Sequence, residues 1–234
     1  MLKMTIIDRE AYPRIAPFAL FMVFIGLEEG LRFFSGAGLV IISPQYYYYL
    51  YPIKILSVSL VMSLTLPRCA EINLRILVKA GTTTLSILIG CIVFILWINM
   101  NWHFGTFGNP QGFEPGIITN DLVRFPLIFF RLAGAVIVVP IMEEIFWRSF
   151  LIRYLIDPNF TRVPIGQFTW SSFVISSVLF GLEHNLFLAG MMAGVAYNLL
   201  LYYSRSLSKC IIAHAVSNLA LCIYVLLTGK WFFW

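Results

Sequence analysis

Charge is what this 234-residue chain has least of: Asp, Glu, Lys and Arg make up 12% of it, against 60% hydrophobic residues. That balance excludes an ordinary soluble domain. It describes a polytopic membrane protein of a length that fits one bundle of helical spans. Histidine is scarce, three in all, and no His-Glu-x-x-His helix occurs, so the usual metalloprotease motif is missing. The four cysteines, Cys69, Cys91, Cys210 and Cys222, have no Cys-x-x-Cys or other ligand spacing and read as bystanders. A net charge of +5 does not point to nucleic acid, because the basic residues sit in short connections between apolar runs. Internal repeats, low-complexity tracts and soluble linkers are missing too. The first apolar stretch has no small-residue cleavage pattern and runs on into Glu28, Glu29 and Arg32, so it reads as a retained span.

What is present is a series of apolar runs. They predict an all-α fold: a polytopic transmembrane helical bundle of about seven to eight membrane helices. The spans fall roughly at 15–34, 46–66, 82–100, 122–141, 169–185, 189–204 and 208–227. Residues 1–120 supply three spans and an extracytoplasmic loop at 101–120, and residues 121–234 supply the core that carries the chemistry. The run from Phe125 to Leu155 is longer than one crossing, and Pro140 inside it predicts a kink. It divides either into a span and a following catalytic helix or into two short helices, the source of an eighth element. Lys3, Arg9, Arg14, Arg68, Arg75, Lys79, Arg153, Arg162, Arg205 and Lys209 alternate with base-free connections at 35–45 and 101–120. The alternation sets the N-terminus in the cytoplasm. Residues 70–79 read as an amphipathic cytoplasmic connection. Tyr46–Tyr51 and Trp231–Trp234 read as interfacial aromatic belts.

Against that background, ionisable residues inside apolar runs stand out, because charge at membrane depth is expensive and marks function by default. Glu143 and Glu144 are adjacent, and Arg148 follows Glu144 by four. Residues i and i+4 share a helix face, so Glu144 and Arg148 can pair while Glu143 points elsewhere. Phe180 and His184 repeat the i, i+4 spacing in the fifth span, and His214 and Asn218 repeat it in the seventh. A carboxylate and an imidazole on different helices can activate a water, and a second imidazole with a carboxamide can stabilise an oxyanion. This assigns Glu143 and His184 to water activation, His214 and Asn218 to the oxyanion, and Arg148 to holding Glu144. Glu28, Glu29 and Arg32 mimic the first motif with the wrong spacing and read as a structural ion-pair cluster. Lys54 and Arg131 are expected to snorkel or pair with carboxylates. His103 falls in the long loop, away from these groups.

The ordered pattern Glu-Glu-x-x-x-Arg, Phe-x-x-x-His, His-x-x-x-Asn resembles the CPBP family of intramembrane proteases, which includes the CAAX proteases. It is carried by Glu143, Glu144 and Arg148, then Phe180 and His184, then His214 and Asn218, across roughly 125–225. The length and the Tyr51-Pro52-Ile53-Lys54 stretch also resemble a bacterial branch found with exosortase sorting systems. The family resemblance implies a polar cavity in a helical membrane bundle that hydrolyses a peptide bond of a membrane-associated protein or peptide. It also implies residence in a bacterial inner membrane. Glu183, directly before His184, departs from the small or apolar residue expected there.

Competing readings stay open at this point. A divalent metal such as zinc, held by Glu143, His184 and His214, competes with the favoured mechanism, which has no cofactor. A non-catalytic binding or assembly protein would keep the same fold. A proton- or cation-relaying transporter would use the same carboxylates, although no inverted repeat is evident.

Overall fold

The computed structural model describes residues 6–72, 80–100 and 112–234. Residues 73–79 of the expected amphipathic connection and 101–111 of the expected loop, His103 among them, lie outside the described residues. Seven long helices carry the described chain, with no strand among those residues. They are α1 (Ile6–Gly36), α2 (Tyr47–Thr65), α3 (Ala80–Asn99), α4 (Asp121–Tyr154), α5 (Trp170–Leu182), α6 (Phe187–Ser204) and α7 (Leu207–Thr228). Among the described residues, four segments are long and apolar enough to cross a membrane: Pro44–Arg68, which contains α2, and α4, α6 and α7. The apolar parts of α3 and α5, Thr83–Asn99 and Trp170–Leu182, are shorter.

The α4 helix is one continuous run of 34 residues. At 1.5 Å per residue this is about 51 Å, well beyond a hydrocarbon core of about 30 Å. It is neither broken at Pro140 nor cut into two short helices, as the sequence allowed. Instead the turn Gly134–Val138 just before Pro140 is π-helical, and so is Ile145–Leu151 after the glutamates. Proline cannot donate to the carbonyl four residues back and crowds it, and a wider turn accommodates both. The two carboxylates therefore sit on a short α segment, Val139–Glu144, between two widened turns.

The α5–α6 pair is an antiparallel hairpin with close backbones. A Cβ on Gly190 would come 3.0 Å from the His184 Cβ, and one on Gly194 would come 3.2 Å from the Phe180 Cβ. Small residues are what allow helices to approach like this in a membrane. The α3 helix lies equally close to α7, since a Cβ on Gly90 would overlap the Ala213 carbonyl and the Val216 side chain. Between them lies a core of Val93, Trp147, Phe180, Ala193, Tyr197, Leu200 and Ala213. At its rim the ring of Phe18 from α1 stacks on Phe146 of α4 at 3.9 Å.

The α5 helix ends at Leu182 and not at 185. Thirteen residues reach only about 20 Å, so the turn that carries His184 stops short of a full crossing. Irregular backbone at such depth is tolerated where protein covers it or where it lines a cavity. The short α5 resolves a difficulty of the linear reading, in which His184 comes late in one span and His214 early in a parallel one. The Phe180 ring lies between the two, 4.9 Å from the His184 ring and 6.1 Å from that of His214.

Candidate active site

The site grows from Arg148. Its side chain is 1% exposed, and a buried guanidinium needs partners for its N–H groups. Nη1 donates to Glu144 Oε1 at 3.1 Å, Nε to Asn198 Oδ1 at 3.1 Å, and Nη2 to the Gly194 carbonyl at 3.3 Å. The faces of Phe180 and Tyr197 cover it at 4.4 and 5.4 Å. Asn198 is fixed in turn, donating to Ser176 Oγ at 2.9 Å and Ser177 Oγ at 3.0 Å. One buried cation thus ties α4 to α5 and α6.

Glu144 extends the network to α7. His214 Nδ1 lies 2.9 Å from Glu144 Oε1. A carboxylate paired with arginine accepts, so this ring nitrogen donates. Tyr197 stacks on the imidazole with ring centres 5.0 Å apart, and its hydroxyl hydrogen-bonds Ser217 Oγ at 2.6 Å. With Nδ1 engaged, Nε2 is the ring nitrogen of His214 left for chemistry. That nitrogen is 3.9 Å from Glu143 Oε2.

Glu143 is different in kind. It is 3% exposed, and its Oε2 is buried with no hydrogen-bond partner among the described residues. It lines a cavity of about 220 Å3 together with His184, His214, Ser217 and Asn218. His184 Nδ1 lies 2.7 Å from the Phe180 carbonyl, which can only accept. A neutral His184 therefore carries its proton on Nδ1 and keeps Nε2 as a base. Asn218 Nδ2 spends one N–H on the Ala135 carbonyl at 2.8 Å, within the first π turn, and keeps a second. All the motif residues are thus brought to one place: Glu143, His184, His214 and Asn218 on the cavity, and Glu144 and Arg148 directly behind it.

Several groups here had no counterpart in the sequence reading. Asn198 and Tyr197 lie in an apolar helix, and a buried carboxamide in such a run is the signal that could have found the first. Ser176, Ser177 and Ser217 carry no such signal. Glu183 accepts from Trp147 Nε1 at 3.0 Å, which ties the hairpin tip to α4 and accounts for an acidic residue there.

A second buried cluster braces the far end of α4. Arg14 on α1 makes a two-pronged pair with Glu71, at 2.7 and 2.8 Å. Ser149 also bonds Glu71, and Arg153 Nη2 reaches Ser149 Oγ at 3.1 Å. Burial pushes the Glu71 carboxyl upward, but its hydrogen bonds from Arg14 and Ser149 prevail and hold it below the ordinary 4.5. Burial also raises the Cys69 thiol to about 11, as befits an inert cysteine.

The basic residues expected to snorkel do otherwise. Lys54 Nζ lies 4.7 Å from the centre of the Phe21 ring and 5.1 Å from that of Tyr51, and the Arg131 guanidinium lies 4.5 Å from Tyr51. Ring faces, held close by α1–α2 packing, take the place of water or a carboxylate. Glu28 and Arg32 form a pair at 2.9 Å, away from the cavity.

The residues considered for zinc, Glu143, His184 and His214, all line the one cavity. No three His, Cys, Asp or Glu side chains among the described residues are grouped to hold a metal ion. Both His184 and His214 commit Nδ1 to protein acceptors, which leaves Nε2 of each as the nitrogen able to meet a water or a metal ion.

A family model described as type II CAAX prenyl endopeptidase Rce1-like matches residues 125–220. This stretch contains every residue of the three motifs. Residues 125–220 are thus similar to the CAAX proteases. Comparison with curated proteins and with solved structures gives no match. This similarity and the four long apolar segments support an integral membrane protein.

Proposed function

We propose that the chain is an intramembrane endopeptidase that hydrolyses a peptide bond of a membrane-associated protein or peptide. The observation that carries this reading is the Glu143 carboxylate: buried, with Oε2 unbonded among the described residues, and on a cavity wall it shares with two imidazoles and a carboxamide. A water entering the cavity gives its proton to Glu143, with His184 Nε2 accepting a hydrogen bond from the same water. Its oxygen attacks the scissile carbonyl. The oxyanion that forms is met by the second N–H of Asn218 and by Nε2–H of His214 in its imidazolium form, which Glu144 supports at Nδ1. Glu143 then returns the proton to the departing amine as the C–N bond breaks. Arg148 fixes the Glu144 carboxylate that orients His214. No step in this reading needs a metal.

The wider frame is part of the same proposal. Residues 121–234 form the catalytic core beside three N-terminal spans, seven spans cross a bacterial inner membrane, and the N-terminus is cytoplasmic. Terminal-peptide mapping of membranes expressing wild type or Glu143→Ala tests the activity. A new terminus seen only with wild type identifies a substrate, and identical termini in both refute the protease reading.

A further inference from the structure

The cavity of Glu143 runs in one direction only. On α4 its lining residues are Glu143, Val139, Ala135 and Arg131, a stripe four residues apart that extends about 18 Å toward the N-terminal end of that helix. On α7 they start at His214 and continue through Asn218 to Cys222, toward the C-terminal end. Beyond Cys222 the wall is Phe233 and Trp234 of the final turn. No described residue of α4 after Glu143, of α6 after Tyr197 or of α7 before His214 lines it. The floor is sealed there: Glu144, Arg148 and Asn198 bond to one another in the next turn, and Leu200, Leu201, Leu207 and Cys210 beyond them are buried. The partly exposed lining residues Trp97, Leu221 and Phe233 lie at the other end, where the cavity has its mouth.

The two ends of the bundle differ in charge. At the end beneath the floor, Arg14 and Arg153 meet at Glu71, Arg153 also reaches the Val163 carbonyl, and Gly166 packs on Arg205. With Arg9, Arg68, Arg162 and Lys209, this end carries seven described cations. At the mouth end, the Glu114 amide donates to the Tyr48 hydroxyl, the Phe113 amide donates to the Trp234 carbonyl, and the Trp97 ring lies 5.3 Å from that of His184. Outside the bundle interior, three described cations stand there: Arg32, paired with Glu28, Arg124, paired with Asp121, and Lys230. Lysine and arginine near span ends mark the cytoplasmic side, and acidic residues count for little. Seven against three sets the sealed floor toward the cytoplasm and the mouth away from it.

We propose that the site is entered from the extracytoplasmic side, and that its substrate is a translocated segment of a membrane-associated protein and not a cytoplasmic one. The proposal rests on the endopeptidase reading and adds the side from which both peptide and water reach Glu143. The stripe from Arg131 to Glu143 is about as long as five extended residues, so a chain end or an unwound segment can reach the floor from the mouth.

The test labels the full-length protein in bacterial spheroplasts with thiol reagents that do not cross the membrane, read position by position by mass spectrometry so that the native cysteines stay in place. Lys230→Cys should be labelled by a charged maleimide added outside, and Arg162→Cys only after the membrane is permeabilised. Leu221→Cys, inside the cavity, should react with trimethylammonium-ethyl methanethiosulfonate added outside. The native Cys222 beside it gives a second reading of the same space without any substitution. Reversed labelling of Lys230→Cys and Arg162→Cys overturns the proposal. So does a cavity in which neither Leu221→Cys nor Cys222 reacts from outside. Termini that appear with wild type and not with Glu143→Ala should lie in extracytoplasmic segments, and a cytoplasmic one overturns the proposal as well. If the labelling holds while the termini are identical, the protease reading fails and the outward-facing cavity stands.

Discussion

His214 and Glu144 come from helices seventy residues apart in sequence, yet the imidazole Nδ1 lies 2.9 Å from the carboxylate oxygen that also accepts from Arg148. Two neighbouring glutamates thereby acquire opposite duties: Glu144 is bonded through Oε1 to two partners, with its Oε2 buried and unbonded among the described residues, whereas Glu143 faces the cavity.

This asymmetry sets the first prediction. Glu143→Ala should abolish cleavage while leaving thermal stability in detergent unchanged or raised, because it removes a buried carboxylate whose Oε2 makes no hydrogen bond with a described residue. Glu144→Ala should also abolish cleavage but lower stability by about 3–5 kcal/mol, the usual cost of orphaning one side of a buried ion pair. Thermal unfolding of both variants decides the matter, and the reverse order of stabilities would falsify the division of roles.

Asn198 supports Arg148 without reaching the cavity. Its replacement by Leu leaves the Arg148 Nε and two serine hydroxyls without their partner. We expect a loss of about 1–3 kcal/mol in stability and a reduced turnover with little change in substrate affinity. Turnover and affinity measured separately would expose a different role if affinity alone moved.

Gly190 sets how closely α6 approaches the His184 turn. Ala at this position places a methyl about 3 Å from the His184 Cβ and from the Gly181 Cα. The tip must shift by a few tenths of an ångström, and cleavage should fall roughly 10- to 100-fold, as small displacements of catalytic groups do. Membrane insertion, followed by protease protection, should be normal, and wild-type turnover would show that the spacing is not critical.

Acid should loosen the bracing cluster before the core. Glu71 titrates below 4.5 in the folded protein, so its contribution to stability is complete above that value and is lost as pH falls through the lower folded one. Wild type should lose more stability than Glu71→Gln as the pH is lowered across this range. Parallel melting curves for the two proteins would remove Glu71 as the source.

How far the sequence reached follows from what hydropathy makes visible. Glu143, His184, His214 and Asn218 interrupt apolar runs, and helical spacing alone gave the Glu144–Arg148 pair. The contact between Glu144 and His214 depends on how α7 is rotated against α4, which no local pattern encodes. Ser176 and Ser177 are too ordinary in a membrane helix to be noticed, although they fix the residue that fixes Arg148. Lys54 and Arg131 misled because long cations usually reach water, whereas here aromatic rings from α1 and α2 intercept them. The α5 boundary misled because the polar tip leaves the helix early, with Glu183 held by Trp147 and His184 turned to the Phe180 carbonyl.

The π turns on either side of Glu143 and Glu144 have a consequence for how this chain tolerates change. A π turn is an α-helix carrying one residue too many, so each turn resets the angular phase of everything beyond it by about 100°. Losing a single residue anywhere in Ile145–Leu151 would restore ordinary winding and swing Arg148 or the segment after it away from its partners. In this stretch length is under tighter constraint than identity. Comparison with other chains must align the turns themselves before it can match the residues they carry.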